Sequence, residues 1–181
     1  MKLFKHLKTV HKHRKEVRKL CFKCGLYWQG LIHDLSKYSP TELIPSVKYY
    51  TGTRSPIDNQ IDDIGYSEAW LHHKGRNKHH YEYWQDDTHG HIRCDIPYRY
   101  IVEMFCDRVA ACKVYQKDKY TPKSALKYFL ENFNKEDVSE QTYDRLYYLL
   151  YMLARDGEKI VCKHIREDLK YIREKRKEVK R

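Results

Sequence analysis

The sequence predicts an all-α protein of a single domain, a helical bundle with a long C-terminal helix, on three observations. Its 181 residues hold only seven glycines and five prolines, too few turn formers for a sheet-rich chain. Apolar residues recur at threes and fours over most of the length, the spacing that gathers them on one helix face. The length suits one domain with a substantial core and barely two. Of the residues, 41% are hydrophobic and 17 are tyrosines, so tyrosine carries much of the expected burial.

From Lys2 to about Cys24, Leu3, Phe4, Leu7, Val10, Val17, Leu20 and Cys21 mark a first helix, with Gly25 as its C-cap. His13 can join the inward stripe of that helix. His11, about 160° away around it, cannot do so together with His13. A second helical segment runs from Leu26 to about Leu35, and Ser39-Pro40 opens a third that carries Leu43, Ile44, Val47 and Tyr50. Thr51 to Gly65, rich in Gly, Pro, Asn, Asp and Ser, reads as a loop long enough to serve as a lid or an entrance rim. Ser67 caps the helix that begins Glu68-Ala69-Trp70-Leu71.

That helix runs into four histidines within nine residues, His72, His73, His79 and His80. Helical geometry lines up His73, Asn77 and His80, and beside them His72, Arg76 and His79. Gly75 makes an unbroken helix uncertain, which leaves a pairing between a helix end and a following turn as the other arrangement. Asp86 to His91 is a polar connection, and Ile96-Pro97 opens a helix from Tyr98 to Tyr115. On it Asp107 stands among apolar and small residues, where an unpaired carboxylate is costly, so a salt bridge, a helix-end hydrogen bond or a metal must compensate it. Ala125 to Phe133 is a short helix; Ser139 to about Val179 is a long one that Asp156-Gly157 is placed to break. Its charged end after Ile172 is expected to fray.

The formal charge of +11 implies attraction to anions, and the basic residues concentrate at the two ends of the chain. Glu167, Asp168, Glu174 and Glu178 punctuate the second run at pair-forming spacings, as on a solvated helix face. Six cysteines lack the spacing of a disulfide framework and read as reduced thiols, with Cys21 and Cys24 sharing a core-facing helix side. The N-terminus is too polar for a signal peptide and no apolar run is long enough to span a bilayer, so a cytoplasmic location without membrane contact is expected.

The chemistry centres on Gly30-Leu31-Ile32-His33-Asp34-Leu35-Ser36-Lys37-Tyr38, where adjacent His33 and Asp34 emerge from an apolar run. A neutral imidazole and a carboxylate from neighbouring residues can both reach one divalent cation. Alone, the pair reads as a hydrogen-bonded histidine beside a capping aspartate. His13, the later histidine cluster and Asp107 give it a setting.

That order, with the motifs HDLSKY and HHKGRNKHH, resembles the HD-domain superfamily of metal-dependent phosphohydrolases, and within it a small bacterial and phage family catalogued as a domain of unknown function. The likeness covers roughly residues 10 to 115, leaving about 120 to 181 as helical scaffold. It implies an HD-like bundle holding one or two ions of Mn, Fe, Ni, Co or Zn. By that likeness His13, with His11 as the alternative, matches the first ligand; His33 and Asp34 match the signature pair, and Asp107 the last. His73 and His80 match the second-metal histidines, with His72 or His79 as alternatives. Lys37 matches a lysine that approaches the substrate phosphate. Asp34, able to bridge two ions, and Lys37 are the expected catalytic residues. Lys37, Lys74 and Arg76 are placed to neutralise phosphate oxygens, and Asn77 to orient a ligand or substrate group.

The expected activity is hydrolysis of a nucleotide or another small phosphoester by metal-activated water, the basic charge steering the anionic substrate. Two other readings stand beside it. One is an HD-fold di-iron oxygenase using the same ligands. The other is a non-catalytic basic helical module that binds nucleic acid through Lys, Arg and Tyr. The sequence leaves the oligomeric state open.

Overall fold

Apolar spacing of three and four residues becomes helix along nearly all of the chain, whose residues 2–179 are described by a computed structural model. In order, the α-helices are α1 (Lys2–Lys23), α2 (Tyr27–Ile32), α3 (Pro40–Lys48), α4 (Pro56–Ile64), α5 (Glu68–Arg76), α6 (Tyr98–Gln116), α7 (Ser124–Asn132), α8 (Glu140–Asp156) and α9 (Glu158–Glu178). Among the described residues the only sheet is an antiparallel pair, β1 (Gln85–Asp86) with β2 (Ile92–Arg93), which closes the polar connection between α5 and α6. The fold is all-α. No described helix is long and apolar enough to cross a membrane.

The middle helix is α6, whose Ile101, Val102, Phe105, Cys106, Val109 and Ala110 are completely buried. Such burial on every side is why its sequence shows little amphipathic contrast. α1 packs along it with Val17, Leu20 and Cys21; Phe129 of α7, Leu146, Leu150 and Leu153 of α8, and Val161 and Ile165 of α9 complete the same core. Each large side chain fully buried there contributes about 1.5–3 kcal/mol of transfer free energy. Between residues 27 and 95, by contrast, Ala69 is the sole buried hydrophobic residue. Thus α2 to α5 lie against α1 and one another with little apolar core of their own, and what their inner faces bury is polar: His33, Asp34, Glu42, Gln60, His73 and His79.

Two expectations need correction. The stretch expected as a loop from Thr51 to Gly65 contains α4: Ser55 accepts a hydrogen bond from the Ile57 N–H and Pro56 occupies the first turn, the same Ser-Pro start that opens α3. Only about residues 50–55 remain irregular. The second helix stops at Ile32 rather than Leu35, because the chain turns at His33 and Asp34 into a 3-10 turn, Leu35–Tyr38. The C-terminal stretch breaks at Gly157, where the break was expected, which leaves α9 as the long C-terminal helix; the φ of +83° and ψ of 171° at Gly157 lie where residues with a Cβ are strained. The end of α9 stays helical through Glu178.

All six cysteines are free; Cys21, Cys24, Cys106 and Cys162 are buried together, with 3.5 Å between the Cys24 and Cys162 sulfurs, whereas Cys94 is exposed. Gly30 marks the closest approach of α2 to α1. A Cβ placed on it would stand 2.9 Å from the Cys21 Cβ and 3.1 Å from Phe22 Cδ1. That contact fixes where α2 delivers the His33-Asp34 turn.

Candidate metal centre

Asp34 is the hinge of the site. It is a residue with positive φ, +54°, in the left-handed region that costs a residue with a Cβ about 1–2 kcal/mol. The strained turn is held from outside by Arg14 of α1. Its guanidinium donates to the carbonyls of His33 at 2.8 Å and Leu31 at 3.1 Å and to the Tyr38 hydroxyl at 3.1 Å. Those carbonyls are the ones the end of α2 leaves without partners, so Arg14 both caps the helix and aims Asp34 inward. The carboxylate is 1% exposed.

Its two oxygens face two different sets of side chains. Oδ2 lies 3.4 Å from His33 Nε2, 3.9 Å from His13 Nε2 and 2.7 Å from Lys37 Nζ. Asp107 Oδ1 completes that side, 2.8 Å from His13 Nε2 and 3.3 Å from His33 Nε2. Oδ1 lies 3.3 Å from His73 Nε2 and 3.4 Å from His79 Nε2. Two groups therefore share Asp34: His13, His33, Asp34 and Asp107, and Asp34, His73, His79 and His80. Within each, one donor atom per residue lies within 4.8 Å of every other, a spread suited to a metal.

The distal ring nitrogens are tied down. His33 Nδ1 pairs with Glu103 Oε1 at 3.0 Å, and His79 Nδ1 lies 3.3 Å from the same oxygen. His73 Nδ1 meets Glu42 Oε2 at 2.8 Å while His72 Nδ1 takes Glu42 Oε1 at 2.7 Å. A carboxylate on Nδ1 leaves Nε2 as the lone-pair donor directed at the centre. His33 Nε2, His79 Nε2, His80 Nε2 and Asp34 Oδ1 are buried with no hydrogen-bond partner. Orphaned polar atoms in both of the groups that share Asp34 are costly unless cations satisfy them, so the residues present fit divalent ions.

The charges confirm how tightly the groups interact. Burial opposes it, yet the carboxylates of Asp34, Asp107 and Glu103 hold the His33 imidazolium well above the usual histidine range. Burial would likewise raise Asp34 and Asp107, but the neighbouring histidines, with Lys37 beside Asp34, hold both well below the carboxylate range. Against the cost of burial Lys37 is pushed up to about 12, chiefly by Asp34. His73 is raised despite burial by Asp34 and Glu42, whereas His80 is driven well down by burial and by His79 and His73.

Of the residues singled out in the sequence, His13, His33, Asp34, His73, His80 and Asp107 come together here, with Lys37 at the edge. His79 joins them; it is 2% exposed and stacks on His33 with ring centroids 4.4 Å apart. The helical line through His73, Asn77 and His80 does not form, because α5 ends at Arg76 and Asn77 is extended at φ −108° and ψ 106°. The chain turns there, and both His79 and His80 swing back over His73. His72 reaches Glu42 rather than Asp34, and exposed His11 lies against Tyr38.

Three substrate-facing expectations are corrected. Asn77 lines neither cavity, so it meets no substrate group; its amide nitrogen bonds Ser36 Oγ and the His73 carbonyl, both at 2.8 Å, and lies 3.1 Å from His73 Nδ1, where it bears on the orientation of that ring. Lys74 and Arg76 line neither cavity at the centre: Arg76 is exposed, and half-buried Lys74 bears on Glu82 from behind the cavity wall. Glu42 and Glu103, which the sequence reading passed over, sit directly behind the histidines. Glu103 had a visible signal: it interrupts the apolar run of α6 one turn before Asp107, on the same face.

Two cavities open on the centre. One, about 260 Å³, is lined by His13, Lys37, His73 and Asp107 and is rimmed by residues 52–57, where the entrance was expected. The other, about 500 Å³, is lined by His79, His80 and Asp107. They meet at Asp107, Ala111 and Tyr115. The family model described as "Family of unknown function (DUF5662)" matches residues 2–152, which take in the whole of this centre. No curated protein and no solved structure matches the chain.

Proposed function

This chain belongs to that family of unknown function, DUF5662, and we propose that it is a metal-dependent phosphohydrolase of the HD type acting on a nucleotide or another small phosphoester. The observation that carries the reading is the division of Asp34, one oxygen toward His13, His33 and Asp107 and the other toward His73 and His79. A carboxylate shared in this way suits two ions side by side. His13, His33, Asp34 and Asp107 would hold one, and Asp34, His73, His79 and His80 the other. All-imidazole and carboxylate donors select Mn, Fe, Co, Ni or Zn over soft ions. When bound, such a pair supplies a water of lowered pKa and an electrophilic clamp on the phosphoryl oxygens.

The protein's own groups do the rest. Glu42 and Glu103 fix the tautomers of His73, His33 and His79, so these three rings need not turn when an ion arrives. Lys37, partly exposed on the smaller cavity and held cationic by Asp34, can turn its ammonium to a substrate phosphate oxygen. Arg14 keeps the Asp34 turn from relaxing. With a formal charge of +11, the chain attracts anionic substrate to this opening.

The test is turnover of p-nitrophenyl phosphate and a nucleoside phosphate panel by Mn-loaded protein beside Asp34→Asn. Wild-type release of phosphate, lost by at least about a hundredfold in the variant, is expected. An inactive wild type with full metal would end the hydrolase reading. If that protein held iron and consumed oxygen with substrate, the di-iron oxygenase would take its place. Salt-dependent binding of random RNA, unchanged in Asp34→Asn and without turnover, would favour the basic binding module.

A further inference from the structure

The larger cavity is not built for phosphate alone. Its walls are Trp70, Met104, Tyr115 and Tyr128, flat or polarisable surfaces, and it ends at His79, His80 and Asp107. Beside Gln116 and the three residues at its end, two further charged side chains face this space, each with one enclosed polar atom that has no hydrogen-bond partner. Arg108 of α6 makes no hydrogen bond or ion pair with the described residues; its guanidinium lies over the Phe133 ring, 4.7 Å from the centroid, and its Nε is wholly enclosed. Glu82, in the 3-10 turn after His80, has an enclosed Oε2 without a donor. The two do not pair with each other.

Arg108 and Glu82 are each half-buried, and the wholly enclosed Arg108 Nε and Glu82 Oε2, without partners, are costly to the free protein. Their retention in one aromatic cavity makes sense when a ligand supplies both a donor edge and an acceptor edge. A second phosphate would answer Arg108 but be repelled by Glu82, and an aliphatic group would answer neither. A flat heterocycle does both, and the volume of about 500 Å³ lies within the range for small-ligand pockets.

Resting on the phosphohydrolase reading, we propose that this cavity is the leaving-group lobe and that it recognises a nucleobase with the guanine pattern of donors and acceptors. Guanine presents its ring N–H and exocyclic amino group as adjacent donors, which one carboxylate accepts together. On its other edge O6 and N7 are the acceptor pair that guanidinium groups recognise. Adenine and cytosine offer Glu82 one amino group, and uracil a single ring N–H. Glu82 and Arg108 are then specificity residues, while the aromatic walls hold the ring plane. Substrate would span the junction at Asp107, with its phosphate toward Lys37 and its base toward Arg108.

The test uses nucleosides, which carry no phosphate, so that it does not depend on catalysis. Guanosine, adenosine, cytidine and uridine are titrated calorimetrically into the full-length Mn-loaded protein, into Glu82→Gln and into Arg108→Lys. Metal content and the melting temperature of each variant serve as folding controls. Guanosine is expected to bind at least about tenfold more tightly than the other three, a bidentate pair's discrimination. Glu82→Gln should erase that preference, and Arg108→Lys should weaken guanosine by about tenfold. Equal affinity for all four, no saturable binding, or a preference intact in Glu82→Gln would overturn the proposal. A wild type that hydrolyses p-nitrophenyl phosphate but ignores guanosine loses this lobe and keeps the hydrolase. One that binds guanosine and hydrolyses nothing does the reverse.

Discussion

Removing Glu42 should weaken one metal position and spare the other. The carboxylate is 3% exposed and accepts one imidazole N–H on each oxygen, from His73 at 2.8 Å and His72 at 2.7 Å. Only His73 of these two belongs to a ligand group, and only to the one with His79 and His80. Glu42→Ala therefore takes a single charge-assisted bond from one ligand set, worth about 1.5–3 kcal/mol. At about 1.4 kcal/mol per tenfold, affinity at that position falls by about ten- to a hundredfold, the usual effect of losing such a support. The position held by His13, His33 and Asp107 should change by less than about threefold, for Glu42 touches none of them. Glu103→Gln is the companion, because one Glu103 oxygen serves both His33 and His79. It should weaken both positions. Titration of Mn into the apoprotein against a chelator, fitted for two sites, reads the two constants separately. Equal losses at both sites in Glu42→Ala, or none at either, would refute the division of labour assigned to the two carboxylates.

Gly30→Ala should destabilise the fold although alanine is the better helix former by about 1 kcal/mol. The Cys21 Cβ, 2.9 Å from the new methyl, cannot move without α1, and overpacking of that kind costs about 1–3 kcal/mol; a net fall in melting temperature of several degrees is expected, and a rise would contradict the packing argument. Metal uptake should release protons. His33 and His73 have raised pKa values in the metal-free protein and must lose those protons to bind, so apparent affinity climbs with pH through that range. Calorimetry in buffers of different ionisation enthalpy counts them, and tighter binding at lower pH would be the wrong sign. In the metal-free protein the same two histidines contribute stability that is fully present below about pH 6.5 and is lost as pH rises through their folded values. Hydrogen exchange should show a further effect: among the apolar residues of α3 to α5 only Ala69 is fully buried, so chelation should speed exchange there while α6 and α8 keep their protection. Uniform change across all helices would count against a layer anchored by polar groups.

The elements most legible in the sequence were those whose burial is apolar. The stripes of α1, α6 and α8 reflect one continuous core, and a period of three and four is enough to find them. The layer from α2 to α5 was harder because its inner face is histidine and carboxylate, which a hydrophobic pattern cannot mark. α4 was hidden by its Asp and Asn content although Ser55-Pro56 repeats the start read correctly at Ser39-Pro40. Residue type and order single out most of the side chains that converge around Asp34, yet helical geometry misleads beyond Arg76. There the extended Asn77, not a 3.6-residue period, decides that His79 and His80 both return to His73. Glu42 reads in the sequence as an ordinary first-turn acid, and only the fold brings it against α5.

The most direct test of the account is the metal content of the purified protein by elemental analysis, after Mn supplementation and gel filtration. Wild type should carry close to two ions per chain. Asp34→Ala, which removes the ligand shared by both groups, should carry almost none. His79→Ala, which breaks only the second group, should keep about one. Absence of metal from the wild type, or an Asp34→Ala protein that retains both ions, would contradict the central claim that Asp34 joins two metal positions.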